Sequence, residues 1–370
     1  MLEQKILVAS EDYIELDSYI QKNGFKTVFL VCGESLSFLR LNAYFKELEN
    51  RLGVKLIKFS DFQPNPLYES VVKGVELFNR EQCDAIFAVG GGSAMDVAKC
   101  IKLYANMDHD RNYLEQDIVP NDIALLAVPT TAGTGSEATR YAVIYYNGEK
   151  QSVADYSCIP STVLMDSTVL KTLPEYQKKA TMLDALCHAI ESYWSVNSTE
   201  ESKTYSREAI QLIMANKDKY LNNDEDGNAN MLIAANIAGK AINITQTTAG
   251  HAMSYKITSL FGVAHGHAVA ICLSKLWMHM LNNMDNCLDV RGKEYLKTVF
   301  QSIADAMGCE NEYEAVAFFD DFVSGLGLNN PKATQEEFEV LCKSVNPVRL
   351  KNNPIKLEAE DIRKLYEQIV

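Results

Sequence analysis

The stretch Ala85-Ile86-Phe87-Ala88-Val89-Gly90-Gly91-Gly92-Ser93-Ala94-Met95-Asp96-Val97-Ala98-Lys99 decides the fold class. A short apolar run with strand character ends in three glycines, and a helical pattern opens directly behind them. Glycines let a backbone turn sharply and approach a ligand closely. The helix N-terminus then offers unpaired N–H groups and a positive dipole end, which suit a pyrophosphate. A tight strand–helix connection with no ligand would read the same way locally. The strand before and the helix after favour the binding site, with Gly90, Gly91, Gly92, Ser93 and Asp96 as candidate residues. The pattern is not GxGxxG, so the ordinary dinucleotide fingerprint is absent.

Outward from this unit, strand signals recur at Thr27–Val31, Lys55–Phe59 and Ile123–Val128, with helical stretches at Leu67–Asn79 and Ser93–Leu103. Such alternation predicts a parallel sheet with covering helices. Tyr141–Tyr146 and Ser152–Ala154 around Asn147-Gly148 predict an inserted hairpin, and Ser161–Met165 a further strand. Beyond Leu173–Pro174 the signals are helical to the C-terminus, and Pro174 can open a helix. A chain of 370 residues exceeds one ordinary core. The expectation is an α/β N-terminal dinucleotide-binding domain over 1–175 and an all-α C-terminal metal-binding and catalytic domain over 176–370, with a cleft between them.

Pro129-Thr130-Thr131-Ala132-Gly133-Thr134-Gly135-Ser136-Glu137 follows the strand Ile123–Val128. It packs hydroxyls and glycines at the C-terminal end of a sheet, where open α/β folds bind ligands. The strongest chemical signal lies further on. Five of the six histidines fall in the helical half, and four of them, His188, His251, His265 and His267, are candidates for one site. Asp184 and His188 are four apart in a helical stretch and share a face; His251 and His265 can close the same site from other helices. One carboxylate with three imidazoles suits Fe(II) or Zn(II) with a position left for a substrate oxygen. His267 is a fifth candidate or a group supporting the ligands. His109 and His279 read as ordinary core or surface residues.

Composition narrows the partners. The net charge of -14 argues against a nucleic-acid binder and requires that any anionic substrate be held by local cations. The nine scattered cysteines contain no CxxC and read as free thiols in a reducing compartment. The N-terminal residues lack a basic region followed by an apolar run, so no signal peptide is expected. The stretch AVAICLSKLWMHML is broken by Lys275 and too short to span a bilayer. The expected location is the cytoplasm, with no membrane or nucleic-acid partner and a homodimer as the assembly.

Taken together, GGGSAMDVAK at 90–99, PTTAGTGSEATR at 129–140, LDALCHAIESY at 183–193 and AHGHA at 264–268 resemble the iron-containing, group III alcohol dehydrogenases. The resemblance implies that Asp184, His188, His251 and His265 bind a divalent metal, Fe2+ or Zn2+. It implies that Gly33, Asn65, the glycine turn, Thr130, Thr131, Thr134, Thr139 and Lys150 bind NAD or NADP. Two positions depart from the pattern. Tyr255 stands where many relatives carry a further histidine that relays a proton, and Gly33 stands where NAD-selective relatives end the first nucleotide strand with Asp. Glu34 follows directly, so NAD and NADP both remain open. ESYWSVNSTEES at 191–202 and HAMSYKITSLFGVAHGHAVA at 251–270 are similar to the hydroxyethylphosphonate dehydrogenase branch, which reduces phosphonoacetaldehyde. Arg140, Lys240 and Lys256 are the cations that could hold a phosphonate.

The expected chemistry is hydride transfer between a nicotinamide and a small aldehyde or alcohol, with Lewis-acid help at the carbonyl oxygen. The alternatives are a general short-chain alcohol dehydrogenase and a lyase similar to dehydroquinate synthase, which shares the overall fold, NAD and a metal.

Overall fold

The structure is a computed structural model that describes residues 4–345 and 349–370. The chain divides into two compact units. One runs up to Thr131 and resumes at Gly135–Leu173; the other takes Ala132–Thr134 and Pro174–Val370.

The first unit is built on β1 (Lys5–Val8), β2 (Thr27–Cys32), β3 (Lys55–Phe59), β4 (Ala85–Gly90), β5 (Ala124–Pro129) and β8 (Thr162–Met165), which form one sheet in the order β1-β8-β5-β4-β2-β3. Every pairing in it is parallel. Its helices are α1 (Ile14–Asn23), α2 (Leu41–Lys46), α3 (Leu48–Leu52), α4 (Tyr68–Arg80) and α5 (Gly92–Tyr104). The central strands TVFLVC, AIFAVG and ALLAVP are buried at nearly every position. Strands covered by helices on both faces lose the alternation of a half-exposed strand and become continuous apolar runs. That is why they, and α4 and α5, were legible to within a residue or two. Separately, β6 (Tyr141–Tyr146) and β7 (Glu149–Ala154) pair antiparallel. Asn147 and Gly148 at their turn have φ of 51° and 77°, as a type I′ turn demands.

β1 was not anticipated. Its four residues are mostly exposed, with Val8 75% accessible. They become a strand only by pairing with β8, Lys5 opposite Thr162 and Val8 opposite Met165. An edge strand that depends on a partner some 150 residues away has no local signal to read.

The second unit is helical: α6 (Glu175–Trp194), α7 (Glu200–Leu221), α8 (Glu225–Thr245), α9 (Ala249–Phe261), α10 (His265–Asn282), α11 (Lys293–Met307), α12 (Glu312–Gly325), α13 (Gln335–Ser344) and α14 (Ala359–Ile369). Pro174 is the N-cap of α6. This helix is buried almost continuously from Met182 to Trp194, and α7, α8 and α10 pack on it. Two glycines permit close approaches to it. A Cβ on Gly266, in the first turn of α10, would stand 2.0 Å from the Ala180 carbonyl oxygen and 2.6 Å from Asp184 Cβ. A Cβ on Gly133 would stand 2.7 Å from Thr181 Cβ, which is how Ala132–Thr134 comes to belong to this unit. Among the described residues no helix is long and apolar enough to cross a membrane.

These glycines give the first prediction. Gly266→Ala should destabilise the protein by about 1–3 kcal/mol, the usual penalty for overpacking, because the atom it meets is rigid backbone. Gly325→Ala, where nothing lies within 4 Å of the new Cβ, should be neutral or stabilising by up to about 1 kcal/mol. Urea denaturation of the two variants measures both; equal costs would mean that α10 does not rest on α6 as described.

Candidate metal centre

Asp184 and His188 lie one turn apart on α6, and both are buried, at 3% and 6% exposure. His251 is the third residue of α9, and His265 opens α10. Their imidazoles converge on one carboxylate oxygen. Asp184 Oδ1 lies 3.9 Å from His188 Nε2, 3.6 Å from His251 Nε2 and 4.0 Å from His265 Nε2. The rings of His188 and His251 stack at 4.6 Å, and His265 meets His251 edge-on at 5.4 Å. Asp184, His188 and His251 form the tighter trio, with donor atoms all within 4.8 Å of one another. The His265 side chain is 35% exposed, so the cluster is closed by protein on one side and accessible on another.

Whether these residues suit a metal can be tested on their own hydrogen bonds. Asp184 Oδ1 and His251 Nε2 are buried and make none. A buried polar atom without a partner costs about 1–3 kcal/mol, and here an acceptor and an imidazole nitrogen are left so while facing each other. Donor atoms across a tetrahedron of metal–ligand bonds near 2.1 Å stand roughly 3.4 Å apart, close to the separations found. One carboxylate and three imidazoles form the mixed O/N set that borderline divalent ions prefer. The residues fit a divalent metal.

The electrostatics agree. Burial pushes the Asp184 carboxyl up, but the facing imidazoles outweigh it and hold the group far below the usual carboxylate range. Burial pushes His188 down, keeping its ring neutral. Burial acts the same way on His251, but the Glu191 and Asp184 carboxylates overcome it and raise that ring to about 9.

Glu191 was missed from the sequence. It is fully buried on α6, and His251 Nδ1 donates to its Oε2. Positions 184, 188 and 191 repeat at the i, i+4, i+7 spacing of one helix face, and that spacing was the available signal. His267 is buried but lies two residues from His265 along α10. It pairs through Nδ1 with the Tyr176 hydroxyl at 3.2 Å, and that hydroxyl accepts from the Ala264 N–H at 2.8 Å. Tyr255 stacks on His265 with ring centroids 5.6 Å apart and planes within 6°. Lys240 and Lys256 stand half-buried on α8 and α9. His109 bonds the Tyr113 hydroxyl at 2.7 Å, and His279 lies 3.9 Å from Asp361; neither belongs to the cluster.

Most of the cofactor candidates of the first unit follow the C-terminal ends of its strands. Because every strand is parallel, the segments after β2, β3, β4 and β5 emerge on the same side, carrying Gly33, Asn65, Gly90–Ser93 and Thr130–Thr131. The strand order reverses between β2 and β4, the switch point at which such sheets open a crevice. A Cβ on Gly90 would meet Ala94 Cβ at 2.6 Å, and one on Gly91 would meet Thr131 Oγ1 at 3.2 Å. The Thr130 N–H donates to the Gly90 carbonyl at 3.0 Å, so the glycine turn and the threonine loop abut. Asn65 holds φ 59°, a left-handed conformation that Asn tolerates. Asp96 accepts from Ser136 Oγ at 2.9 Å, and burial raises its carboxyl above the usual range. Thr139 is buried, and its carbonyl accepts from Lys99 Nζ at 2.8 Å. Lys150 lies on β7 opposite Tyr145. Thr134 belongs to the helical unit. Arg140 lies in the sheet unit, its guanidinium over the rings of Tyr141 and Tyr156 at 4.8 and 4.7 Å.

Sheet, switch-point crevice and imidazole–carboxylate cluster together define a nucleotide- and metal-using enzyme. Residues 4–167 match the family model for iron-containing alcohol dehydrogenase, and residues 178–370 match that for the C-terminal part of the same family. The chain belongs to the iron-containing alcohol dehydrogenase family and is an oxidoreductase of the alcohol–aldehyde class. It is 35% identical to aldehyde-alcohol dehydrogenase 2 of Entamoeba histolytica over 243 residues, which is 62% of this chain but 28% of that longer protein. It is 31% identical to phosphonoacetaldehyde reductase of Streptomyces viridochromogenes over 302 residues, 77% of this chain and 75% of the other. The sulfoacetaldehyde reductase of Bifidobacterium kashiwanohense, solved in complex with NAD+, superposes with a TM-score of 0.87 at 23% identity, covering 100% of this chain and 97% of that one.

Two variants separate the two sites. His265→Ala should strip most bound metal and nearly all turnover, whereas His109→Ala should change neither; metal analysis beside a rate assay reads both. Gly91→Val should crowd Thr131 and weaken dinucleotide binding at least tenfold by calorimetry, with metal content unchanged. Unaltered dinucleotide affinity in a folded Gly91 variant would leave the turn without its assigned role.

Proposed function

We propose that the chain reduces a small aldehyde bearing an anionic group, with phosphonoacetaldehyde converted to 2-hydroxyethylphosphonate at the expense of NAD(P)H. The reaction class rests on the buried convergence of Asp184, His188 and His251, with His265 alongside. The substrate rests on the 31% identity to phosphonoacetaldehyde reductase over three quarters of both chains.

A divalent ion held by these four side chains supplies Lewis acidity at a carbonyl oxygen, and NAD(P)H supplies the hydride. The chain's own residues do the rest. Asp184 contributes the one negative charge of the ligand set, and Glu191 sets the ring of His251. The glycine turn and the threonine loop hold the dinucleotide by backbone N–H groups and hydroxyls, with Gly33, Asn65, Thr139 and Lys150 as further cofactor-binding positions. Hydride passes to the carbonyl carbon and a proton to the oxygen, giving the alcohol and NAD(P)+. That proton comes through Tyr255, whose ring stacks on His265, through a ribose hydroxyl or through water. Lys240 and Lys256 offer charge to a phosphonate that a chain of net charge -14 would otherwise repel. Arg140, committed to Tyr141 and Tyr156, is the weakest of the three cation candidates. The proposed setting is the cytoplasm, as a homodimer. The second reading, a general short-chain alcohol dehydrogenase, keeps the same site and drops the cations. The lyase alternative has no support in either family match.

The test is an aldehyde panel assayed with NADH and NADPH after anaerobic Fe(II) loading. Phosphonoacetaldehyde should be preferred to propionaldehyde in kcat/KM. Lys240→Ala and Lys256→Ala should each lower it for phosphonoacetaldehyde by about 30- to 1000-fold if the contact is buried, with far less effect on propionaldehyde. A parent enzyme that prefers propionaldehyde, or variants that slow both substrates equally, would leave the general dehydrogenase.

A further inference from the structure

α9 begins without a cap of its own. Thr248 occupies its N-cap position, yet its side chain bonds none of the first-turn N–H groups. The first N–H groups of a helix need acceptors, and a buried helix end without them is costly. Here the acceptor comes from another helix. Glu191 Oε1, on α6, accepts from the Thr248 N–H at 3.2 Å, the His251 N–H at 3.3 Å and the Thr248 hydroxyl at 2.6 Å. The hydroxyl proton is committed to Glu191, because Thr248 Oγ1 itself accepts from Trp194 Nε1 at 2.9 Å. The other oxygen, Oε2, accepts from His251 Nδ1. Gly250 makes room: a Cβ there would stand 3.0 Å from Glu191 Oε1 and 2.9 Å from Leu273 Cδ1.

We infer that Glu191 is a positioning residue for the metal centre. One carboxylate caps α9 through Oε1 and, through Oε2, holds a proton of His251 on Nδ1, so that Nε2, aimed at Asp184, is the nitrogen that gives up its proton to an ion. The inference rests on the reading of Asp184, His188, His251 and His265 as metal ligands and adds a residue that touches none of the reacting atoms. Its chemical content is directional. Three donors converge on Oε1, so a glutamine in this place must keep its carbonyl oxygen there. Its amide NH2 then faces His251 Nδ1, which can no longer donate. The His251 proton moves to Nε2, the atom that would bind the metal.

Glu191→Gln therefore separates the two roles. The cap survives, so the melting temperature of the metal-free protein should stay within a few degrees of the parent. Affinity for Co(II), read by chelator competition and by the visible absorption of the bound ion, should fall by about 10- to 100-fold, the usual loss when a carboxylate partner of a metal-binding histidine is removed. Glu191→Ala should lose both stability and affinity. Unchanged Co(II) affinity and spectrum in Glu191→Gln overturns the inference. So does a metal-free melting temperature that falls in proportion to affinity, which is what a purely structural cap would give. His265→Ala is the control for the underlying reading. If it binds Co(II) like the parent, the ligand assignment fails and the inference fails with it; if it loses the ion while Glu191→Gln does not, only the positioning role is lost. Should Glu191→Gln not fold, Thr248→Val removes the 2.6 Å bond that holds the carboxylate. A several-fold loss of Co(II) affinity then supports the role, and none overturns it.

Discussion

Two carboxylates buried on one helix organise the helical unit. Asp184 and Glu191 lie seven residues apart on α6, at 3% and 0% exposure. A carboxylate taken out of water without partners costs several kcal/mol. The elements packed on this stretch must therefore bring donors or an ion. For Glu191 they are the helix-end N–H groups, a hydroxyl and an imidazole of α9. For Asp184 they are imidazoles from α6, α9 and α10. Burial drives both carboxyls up, and in both cases the facing groups more than reverse it. The difference between the two is what makes a site. Glu191 is saturated by protein donors, whereas Asp184 Oδ1 is left with none and faces nitrogens that an ion would satisfy.

The sheet unit is organised by a different device, in which backbone geometry matters more than charge. The glycine turn and the threonine loop abut through Gly91 and Thr131, and the helix behind the turn is locked to the following loop. Lys99 is fully buried, and its ammonium donates to Ser136 Oγ, Thr139 Oγ1 and the carbonyls of Thr139 and Tyr141 at 2.7–3.2 Å. Asp96 takes the Ser136 hydroxyl from the other side. Asp96 and Lys99 of the glycine motif thus tie the helix behind the turn to the 136–141 segment in one arrangement.

The fold was legible where burial is two-sided and local. The runs at 27–32, 85–90 and 124–129 announce central parallel strands because both their faces are covered, and the Asn147-Gly148 pair announces its hairpin because few other dipeptides accept that turn. β1 was not legible, since only its pairing with β8 makes it a strand. The imidazole–carboxylate cluster was half legible from spacing. The i, i+4 pair Asp184 and His188 is a property of one helix, but nothing local says that His251 and His265 face the same oxygen. Glu191 was overlooked because nothing local says that α9 seats its first turn on it.

The sequence by itself determined the central strand–helix alternation, the helical character of the second half, the class of chemistry and the types of side chain available, because these follow from local periodicity, from glycine at turns and from the scarcity of histidine. Only the tertiary structure shows how closely the four side chains approach one another, that Glu191 accepts from the start of α9 and from His251, that His267 pairs with Tyr176, and that the Arg140 guanidinium lies over two tyrosines. The physical reason is that each of these depends on distances between residues far apart in the chain. Those distances are fixed by helix packing, down to the missing Cβ atoms of Gly250 and Gly266, and a linear pattern carries no record of them.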